Sequence, residues 1–101
     1  MPEGRKDASL NEYRIFETEQ FEQDLRNLAK AGRAKIREKL REVVYPELRQ
    51  RPHFGPHIRK LKVYRPETWR YRIGRWRFFY EIDEEKRIVF MIAASHRGSA
   101  Y

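Results

Sequence analysis

A run of basic residues in the middle of the chain is the feature that points most directly to chemistry. Residues 49–80 hold ten lysines and arginines and a single acid, Glu67. Residues 1–48 hold ten residues of each sign, so the net charge of +8 is concentrated in the middle of the chain. Solvated surfaces normally interleave both signs. The unbalanced run therefore predicts a polyanionic partner, either a nucleic acid or an acidic protein.

Three arginines of this run have a spacing suited to phosphate binding. Arg70 and Arg72 lie two residues apart and alternate with large apolar residues, so in a strand they share one face. Arg77 lies across a predicted turn at Gly74 and can join them. Guanidinium groups contact phosphate through two parallel hydrogen bonds. The spacing thus predicts a phosphate clamp on one face of a sheet.

The composition and spacing of the chain argue against cysteine chemistry and against a bound metal. The chain has no cysteine, which excludes a disulfide framework and a thiolate metal site. His53 and His57 are four residues apart, but Gly55 and Pro56 between them exclude the helix that would align two ligands. A two-metal nuclease would need clustered carboxylates, and the basic run holds one acid. We expect neither a metal nor a cofactor.

The elements that must position these residues follow from hydrophobic periodicity. A strand over 13–17 precedes a helix over 19–31, with Thr18 as its cap and Gly32 as its stop. A second helix over 33–45 is expected to end or kink at Pro46. Period-two alternation predicts the remaining strands, over 57–64, 69–73, 76–82 and 88–94. The predicted fold class is α+β: a small twisted antiparallel sheet with a helical hairpin on one face and a cationic opposite face.

Length and terminal composition limit the domain organisation. The chain has 101 residues, enough for one compact domain. Residues 1–11 are polar and lack periodicity, which predicts a flexible tail before a single domain over 12–101. No apolar run approaches the roughly 18 residues that a membrane span needs, and the first residues lack the apolar core of a signal peptide. A cytoplasmic location without membrane contact is expected.

Three segments resemble motifs of the RelE/ParE toxin superfamily of type II toxin–antitoxin systems. Residues 69–83, WRYRIGRWRFFYEID, resemble the superfamily signature YRYRIGDYRVIYEID. Residues 95–101, SHRGSAY, are similar to its GHRxxxY terminus, and residues 60–62, KLK, to the KKLK before the signature. The order of elements agrees as well, so the resemblance covers residues 12–101. It implies a twisted antiparallel sheet packed on an N-terminal helical hairpin, in the order β-α-α-β-β-β.

The resemblance also implies roles for individual residues. RelE-like toxins carry basic residues facing the RNA at the positions of Arg70 and Arg72, where some relatives have lysines. The RNA- or phosphate-binding residues implied here are Lys60, Lys62, Arg70, Arg72 and Arg75. Because arginine cannot act as a general base, the proton transfers must fall on His96 and Tyr101. The catalytic set implied is Arg77, His96, Arg97 and Tyr101.

Members of the superfamily differ in activity, and three functions stay open at this point. RelE-like members enter the ribosomal A site and cleave messenger RNA, which makes a metal-independent endoribonuclease the leading expectation. ParE-like members poison DNA gyrase without chemistry of their own. A basic RNA-binding relative without toxicity is the third possibility. In each toxin case the partner implied is a cognate antitoxin that wraps the toxin, covers its basic face and forms a hetero-oligomer with it.

Overall fold

The computed structural model describes residues 12–98 of the chain. The predicted tail over 1–11 and the predicted catalytic residue Tyr101 lie outside the described residues. The described elements begin with strand β1 and helix α1 and continue with a second helical stretch and four strands. Their bounds are Arg14–Glu17 (β1), Glu19–Lys30 (α1), Ile58–Leu61 (β2), Thr68–Ile73 (β3), Trp76–Asp83 (β4) and Ile88–His96 (β5).

The five strands form one sheet in the order β1-β5-β4-β3-β2. The α+β fold class predicted from the sequence is confirmed, with the helices packed on one face of the sheet. Two details differ from the prediction. Four strands follow the helices, as the periodicity predicted, whereas the order implied by the resemblance had three; and β1 pairs with β5 in parallel, so only β2 to β5 are antiparallel. Parallel pairing is possible because a long crossover, the segment between β1 and β5, connects these two strands.

Helix α1 forms where its cap and apolar stripe predict it. The Thr18 hydroxyl oxygen accepts a hydrogen bond from the backbone N–H of Phe21 at 3.2 Å, which confirms the cap. Phe21, Leu25 and Leu28 are fully buried against the sheet. The helix ends at Lys30, and Gly32 follows with a φ of +86°, a left-handed conformation that glycine adopts without strain.

The second helical stretch is longer than predicted and is not ended by its proline. It consists of an α-helical turn (α2, Ile36–Lys39), a π-helical turn (Leu40–Val44) and a further α-helix (α3, Tyr45–Gln50). The N–H of Tyr45 bonds to the carbonyl of Leu40, five residues back, so the chain widens just before Pro46. Pro46 then falls in the first turn of α3, where its missing N–H costs no helical hydrogen bond. The sequence predicted an end or a kink at Pro46; the helix does not end there for this reason, and its regular geometry is interrupted by the π-helical turn just before the proline.

The alternation predicted for the central strands is confirmed. Tyr71, Phe78 and Tyr80 are fully buried under the helices, and Trp69 and Trp76 pack against the same core. None of the described helices has the length and apolarity to cross a bilayer.

The strand predicted over 57–64 is shorter in the structure. β2 ends at Leu61, which pairs with Thr68, the first residue of β3. Beyond that pair the chain has no strand partner and turns outward, leaving Val63 88% exposed and Tyr64 55% exposed. The apolar alternation of this segment therefore predicted a longer strand than the structure has.

A β-bulge in β5 decides which of its residues face the helices. Phe79 pairs with Ala93 and Tyr80 pairs with Met91, so Ile92 is an extra residue on β5. The extra residue shifts the alternation by one position after Met91. As a result Ala94, rather than Ala93, is buried beneath α1, where its N–H donates to the Asp24 carboxylate at 2.9 Å.

Candidate nucleic-acid interface

Four arginines from three adjacent strands gather on the face of the sheet that the helices leave uncovered. Strand alternation turns Arg70 and Arg72 away from the buried Tyr71. Arg72 pairs with Arg77 of β4, and Arg70 pairs with Arg59 of β2. Residues directly opposite each other on neighbouring strands share a face. We call Arg59, Arg70, Arg72 and Arg77 the arginine cluster.

The electrostatics of Arg70 show how concentrated this positive charge is. Burial lowers the pKa of Arg70, and the positive charges of Arg59, Arg72 and Arg77 lower it further. Arginine is still charged at neutral pH because its ordinary pKa is so high. Among the described residues, the Nε atom of Arg70 is a buried polar atom without a hydrogen-bond partner. Like charges held together around an unused donor form a site that an anion would stabilise.

Two open depressions bring most of the predicted phosphate-binding residues together. The first, of about 450 Å³, lies between β2 and β3 and is lined by Pro56, His57, Ile58, Arg59, Arg70, Arg72 and Gly74. The second follows the outer edge of β2 and is lined by Arg59, Lys60, Leu61, Lys62 and Arg70. Lys60 is held by Glu67 at 2.8 Å. A phosphate backbone could follow this edge from one depression to the other.

His57 lines the first depression, a position that the sequence did not predict. It lies just before β2, where its carbonyl accepts the N–H of Arg72 at 2.8 Å and its ring contacts that of Tyr71 at 5.3 Å between centroids. His53 lies elsewhere, paired with the Glu84 carboxylate at 2.5 Å. Within residues 12–98 no three histidine or carboxylate side chains gather as metal ligands. Local spacing carries no signal for this position, because it depends on the pairing of β2 with β3.

A second basic group lies around His96, and we call Arg33, Arg75 and His96 the terminal cluster. His96 is 9% exposed, and its ring meets the edge of Trp76 at 4.5 Å between centroids. Burial lowers the pKa of His96, and the charges of Arg33 and Arg75 lower it further, which favours the neutral ring. The N–H of Gly98 donates to Nδ1 at 3.1 Å. The proton of the neutral ring therefore lies on Nε2.

The two clusters meet at the same end of the sheet but on different faces. The bulge turns His96 to the helix side, where it pairs with Trp76, whereas Arg77 pairs with Ser95 on the open face. Arg75 lies in the turn between β3 and β4, and its carbonyl accepts the N–H of Arg97 at 2.8 Å. Arg97 is exposed. The predicted catalytic residues Arg77, His96 and Arg97 thus converge on this turn without sharing a face.

Comparison with known proteins decides the family. A family model for the ParE toxin of type II toxin–antitoxin systems, parDE, matches residues 15–101. The chain belongs to the ParE toxin family. As a member of this family it is a type II toxin of the RelE/ParE superfamily, which confirms the resemblance carried by the three motifs. No curated protein matches the chain in sequence.

Two solved structures of toxin–antitoxin complexes have the same fold as this toxin. One is the RelBE2 complex from Mycobacterium tuberculosis, with 24% identity, a TM-score of 0.66 and coverage of 87% of this chain and 94% of that chain. The other is the archaeal RelE–RelB complex from Pyrococcus horikoshii OT3, with 22% identity, a TM-score of 0.58 and coverage of 87% and 98%. At this level of identity the likeness establishes the fold and leaves the activity open.

Proposed function

We propose that this toxin is a ribosome-dependent endoribonuclease that cleaves messenger RNA in the A site, and so inhibits translation, by attack of a 2′-OH without a metal. The observation that carries the proposal is the arginine cluster, an uncovered set of four arginines around the unpartnered Nε of Arg70. Such a cluster binds a phosphodiester and stabilises the charge that develops on its oxygens during cleavage. Removal of one such donor typically costs about 10²–10³ in rate.

We propose a role for each residue. Arg70 and Arg72 bind phosphates of the message on the open face, and Lys60 and Lys62 bind them along the outer edge of β2. Arg77 and Arg97 stabilise the transition state at the turn between β3 and β4, and Arg75 supports the same end of the sheet. Because Nδ1 of His96 already accepts the Gly98 N–H, His96 acts through its Nε2 proton as a hydrogen-bond donor. Tyr101 is assigned its proton-transfer role by the resemblance alone.

An antitoxin is part of the proposal as the partner that silences the toxin. Both structural relatives are complexes of a toxin with its antitoxin. On the open face of this toxin, the ring of Phe16 is 54% exposed and contacts that of Phe90 at 5.6 Å between centroids. An acidic segment with an apolar anchor could cover these rings and the arginine cluster together, which would form the proposed hetero-oligomer.

Inhibition of DNA gyrase is the second candidate function. The match to the ParE family model favours it, since ParE-like members act on gyrase. In that case the arginine cluster would contact gyrase or its DNA, and no proton-transfer residue would be needed. A basic RNA-binding protein without toxicity is the remaining outcome.

Primer extension on a defined message bound to purified ribosomes tests the proposal. Wild-type toxin is expected to create a new stop within the A-site codon, and the Arg97→Ala variant to weaken it. An intact message with both proteins would contradict the nuclease. Loss of supercoiling when the toxin is added to purified gyrase would then support the second candidate, whereas retained RNA binding without either effect would indicate the non-toxic protein.

A further inference from the structure

A carboxylate lies among the apolar residues that α1 packs against the sheet. Asp24 belongs to the buried stripe of the helix, beside Leu25 and Leu28, and is only 7% exposed. Aspartate is rarely buried in a protein core unless hydrogen bonds compensate its charge. One oxygen of Asp24 accepts the Ala94 N–H at 2.9 Å, and the other accepts Nε2 of Gln20 at 2.9 Å. The first of these bonds joins α1 to β5 just beyond the β-bulge.

We propose that Asp24 is a positioning residue that selects the bulged register of β5 and thereby fixes the location of His96 and Arg97 at the end of the sheet. Such a residue touches neither the substrate nor the reacting atoms, and it affects a reaction through the groups that it holds in place. The register is a property of the fold alone. Its consequence for cleavage rests on the proposed nuclease function.

Helix α1 holds β5 at two points, one on each side of the bulge. Before the bulge, the N–H and the hydroxyl of Thr18 both donate to the Met91 carbonyl, at 3.1 Å and 2.8 Å. Beyond the bulge, Asp24 holds Ala94. From Thr18 to Asp24 the chain rises about 9 Å, at roughly 1.5 Å per helical residue. From Met91 to Ala94 the strand extends about 10 Å, at roughly 3.3 Å per residue. The two spacings match, so one rigid helix makes both contacts.

The direction of the Ala94 N–H shows why this contact requires the bulge. Along a regular strand, successive residues direct their backbone N–H and C=O groups to opposite edges. Met91 directs its carbonyl toward α1, so in a regular strand Ala93 would direct its N–H to the same edge. The extra residue Ile92 shifts the alternation, and Ala94 takes that place. In the regular register the N–H of Ala93 would lie about 3 Å short of the Asp24 carboxylate, one strand residue too early. The carboxylate therefore favours the bulged register.

The register of β5 decides where its last residues lie relative to the candidate interface. In the bulged register Arg77 pairs with Ser95, and His96 lies on the helix side of the sheet. In the regular register His96 would turn to the open face, because a shift of one residue moves every later side chain to the other face. The same shift would displace Arg97, whose N–H now bonds to the turn between β3 and β4. A displacement of about 1 Å at a site can slow a reaction by about 10²-fold.

Comparison of Asp24→Leu with Asp24→Asn tests the register without relying on nuclease activity. Leucine fills a similar space but accepts no hydrogen bond, whereas asparagine keeps an oxygen for the Ala94 N–H. NMR of the full-length toxin detects the contact between the rings of His96 and Trp76, whose centroids lie 4.5 Å apart. We expect this contact in the wild type and in Asp24→Asn, and its loss in Asp24→Leu. A folded Asp24→Leu variant that keeps the contact would overturn the proposal.

Leu25→Val is the matched control, at the neighbouring position of the same buried stripe. It should lower the thermal unfolding temperature and keep the ring contact, which separates loss of stability from loss of register. If Asp24→Leu does not fold, amide hydrogen exchange at Ala94 decides. We expect slow exchange in the wild type and faster exchange in Asp24→Asn, because an amide oxygen is a weaker acceptor than a carboxylate. An unprotected Ala94 amide, or equal rates in the two proteins, would overturn the proposal.

Single-turnover cleavage of a ribosome-bound message tests the consequence for activity. We expect Asp24→Leu to slow cleavage by about 10²-fold, whereas Asp24→Asn and Leu25→Val should cleave at close to the wild-type rate. Binding to ribosomes should be the same for all three variants. Wild-type cleavage by a folded Asp24→Leu variant that has lost the ring contact would overturn the positioning role. If the wild-type toxin itself leaves the message intact, the nuclease function fails while the ring contact still tests the register, so the two failures are distinguishable.

Discussion

The arginine cluster and the terminal cluster are both basic, yet they are built in different ways. The arginine cluster comes from regular alternation on three neighbouring strands, lies on the open face and contains an unpartnered guanidinium nitrogen. The terminal cluster combines Arg33, Arg75 and His96, which are far apart in sequence. Its histidine is buried and hydrogen-bonded to the backbone. The contrast indicates that the arginine cluster is open to an external anion, whereas the terminal cluster is largely held by contacts within the fold.

The largest effect that we expect from removing part of the arginine cluster is on the cleavage rate. Arg72→Ala combined with Arg77→Ala removes a cross-strand pair of the arginine cluster and should slow single-turnover cleavage by at least about 10³-fold. Arg26→Ala combined with Arg41→Ala removes the same charge from exposed positions on the helices and should change the rate little. Similar losses for the two double variants would mean that total charge, and not this cluster, determines activity.

A smaller effect is expected on the salt dependence of RNA binding. Arg59→Ala should weaken binding of single-stranded RNA several-fold and reduce the slope of log K against log salt by about 0.7, because one fewer counterion is released. Titration of a labelled RNA at several salt concentrations measures both quantities. Arg41→Ala serves as the control on the opposite side of the molecule. An unchanged slope for Arg59→Ala would mean that the RNA does not contact Arg59.

The terminal cluster predicts a pH effect on stability. Because the pKa of His96 is held below 6.5, the unfolded chain takes up a proton there more readily than the folded protein. Stability that is present above pH 6.5 should therefore be lost as the pH falls through the lowered pKa. Thermal unfolding of the wild type and His96→Gln across this range measures the contribution. The variant should lose less stability in acid than the wild type. The same dependence of stability on pH in both proteins would contradict the account of the terminal cluster.

The smallest expected effect is on the free energy of unfolding, which the buried charge of the arginine cluster lowers. Arg70→Met removes a partly buried charge with an unpartnered nitrogen, so it should raise the free energy of unfolding by at most about 1 kcal/mol while it weakens RNA binding. Arg72→Met, at an exposed position, should leave the stability nearly unchanged. Denaturant unfolding compares the two variants. Destabilisation by Arg70→Met would indicate that the packing of the arginine side chain stabilises the fold by more than its buried charge costs.

The sequence predicted the arginine cluster better than the terminal cluster, for a physical reason. Strand alternation placed Arg70, Arg72 and Arg77 together because it depends only on local spacing and one short turn. The orientation of His96 depends on a bulge at Ile92, and period-two counting carries no signal of an extra residue. The place of His57 beside the first depression was missed because it comes from a contact with β3, between segments distant in the sequence. Likewise, the π-helical turn before Pro46 lets the helix continue where the proline rule predicts an end or a kink.

Arginine-specific chemical labelling of the toxin tests most directly whether RNA lies on the arginine cluster. The toxin would be labelled alone and on ribosomes whose message carries 2′-deoxy nucleotides in the A-site codon, so that it binds without being cut. Mass spectrometry would then measure labelling at each arginine. We expect protection of the exposed Arg59 and Arg72 and unchanged labelling of Arg26 and Arg41. Equal labelling of Arg59 and Arg72 with and without the message would contradict the proposed interface.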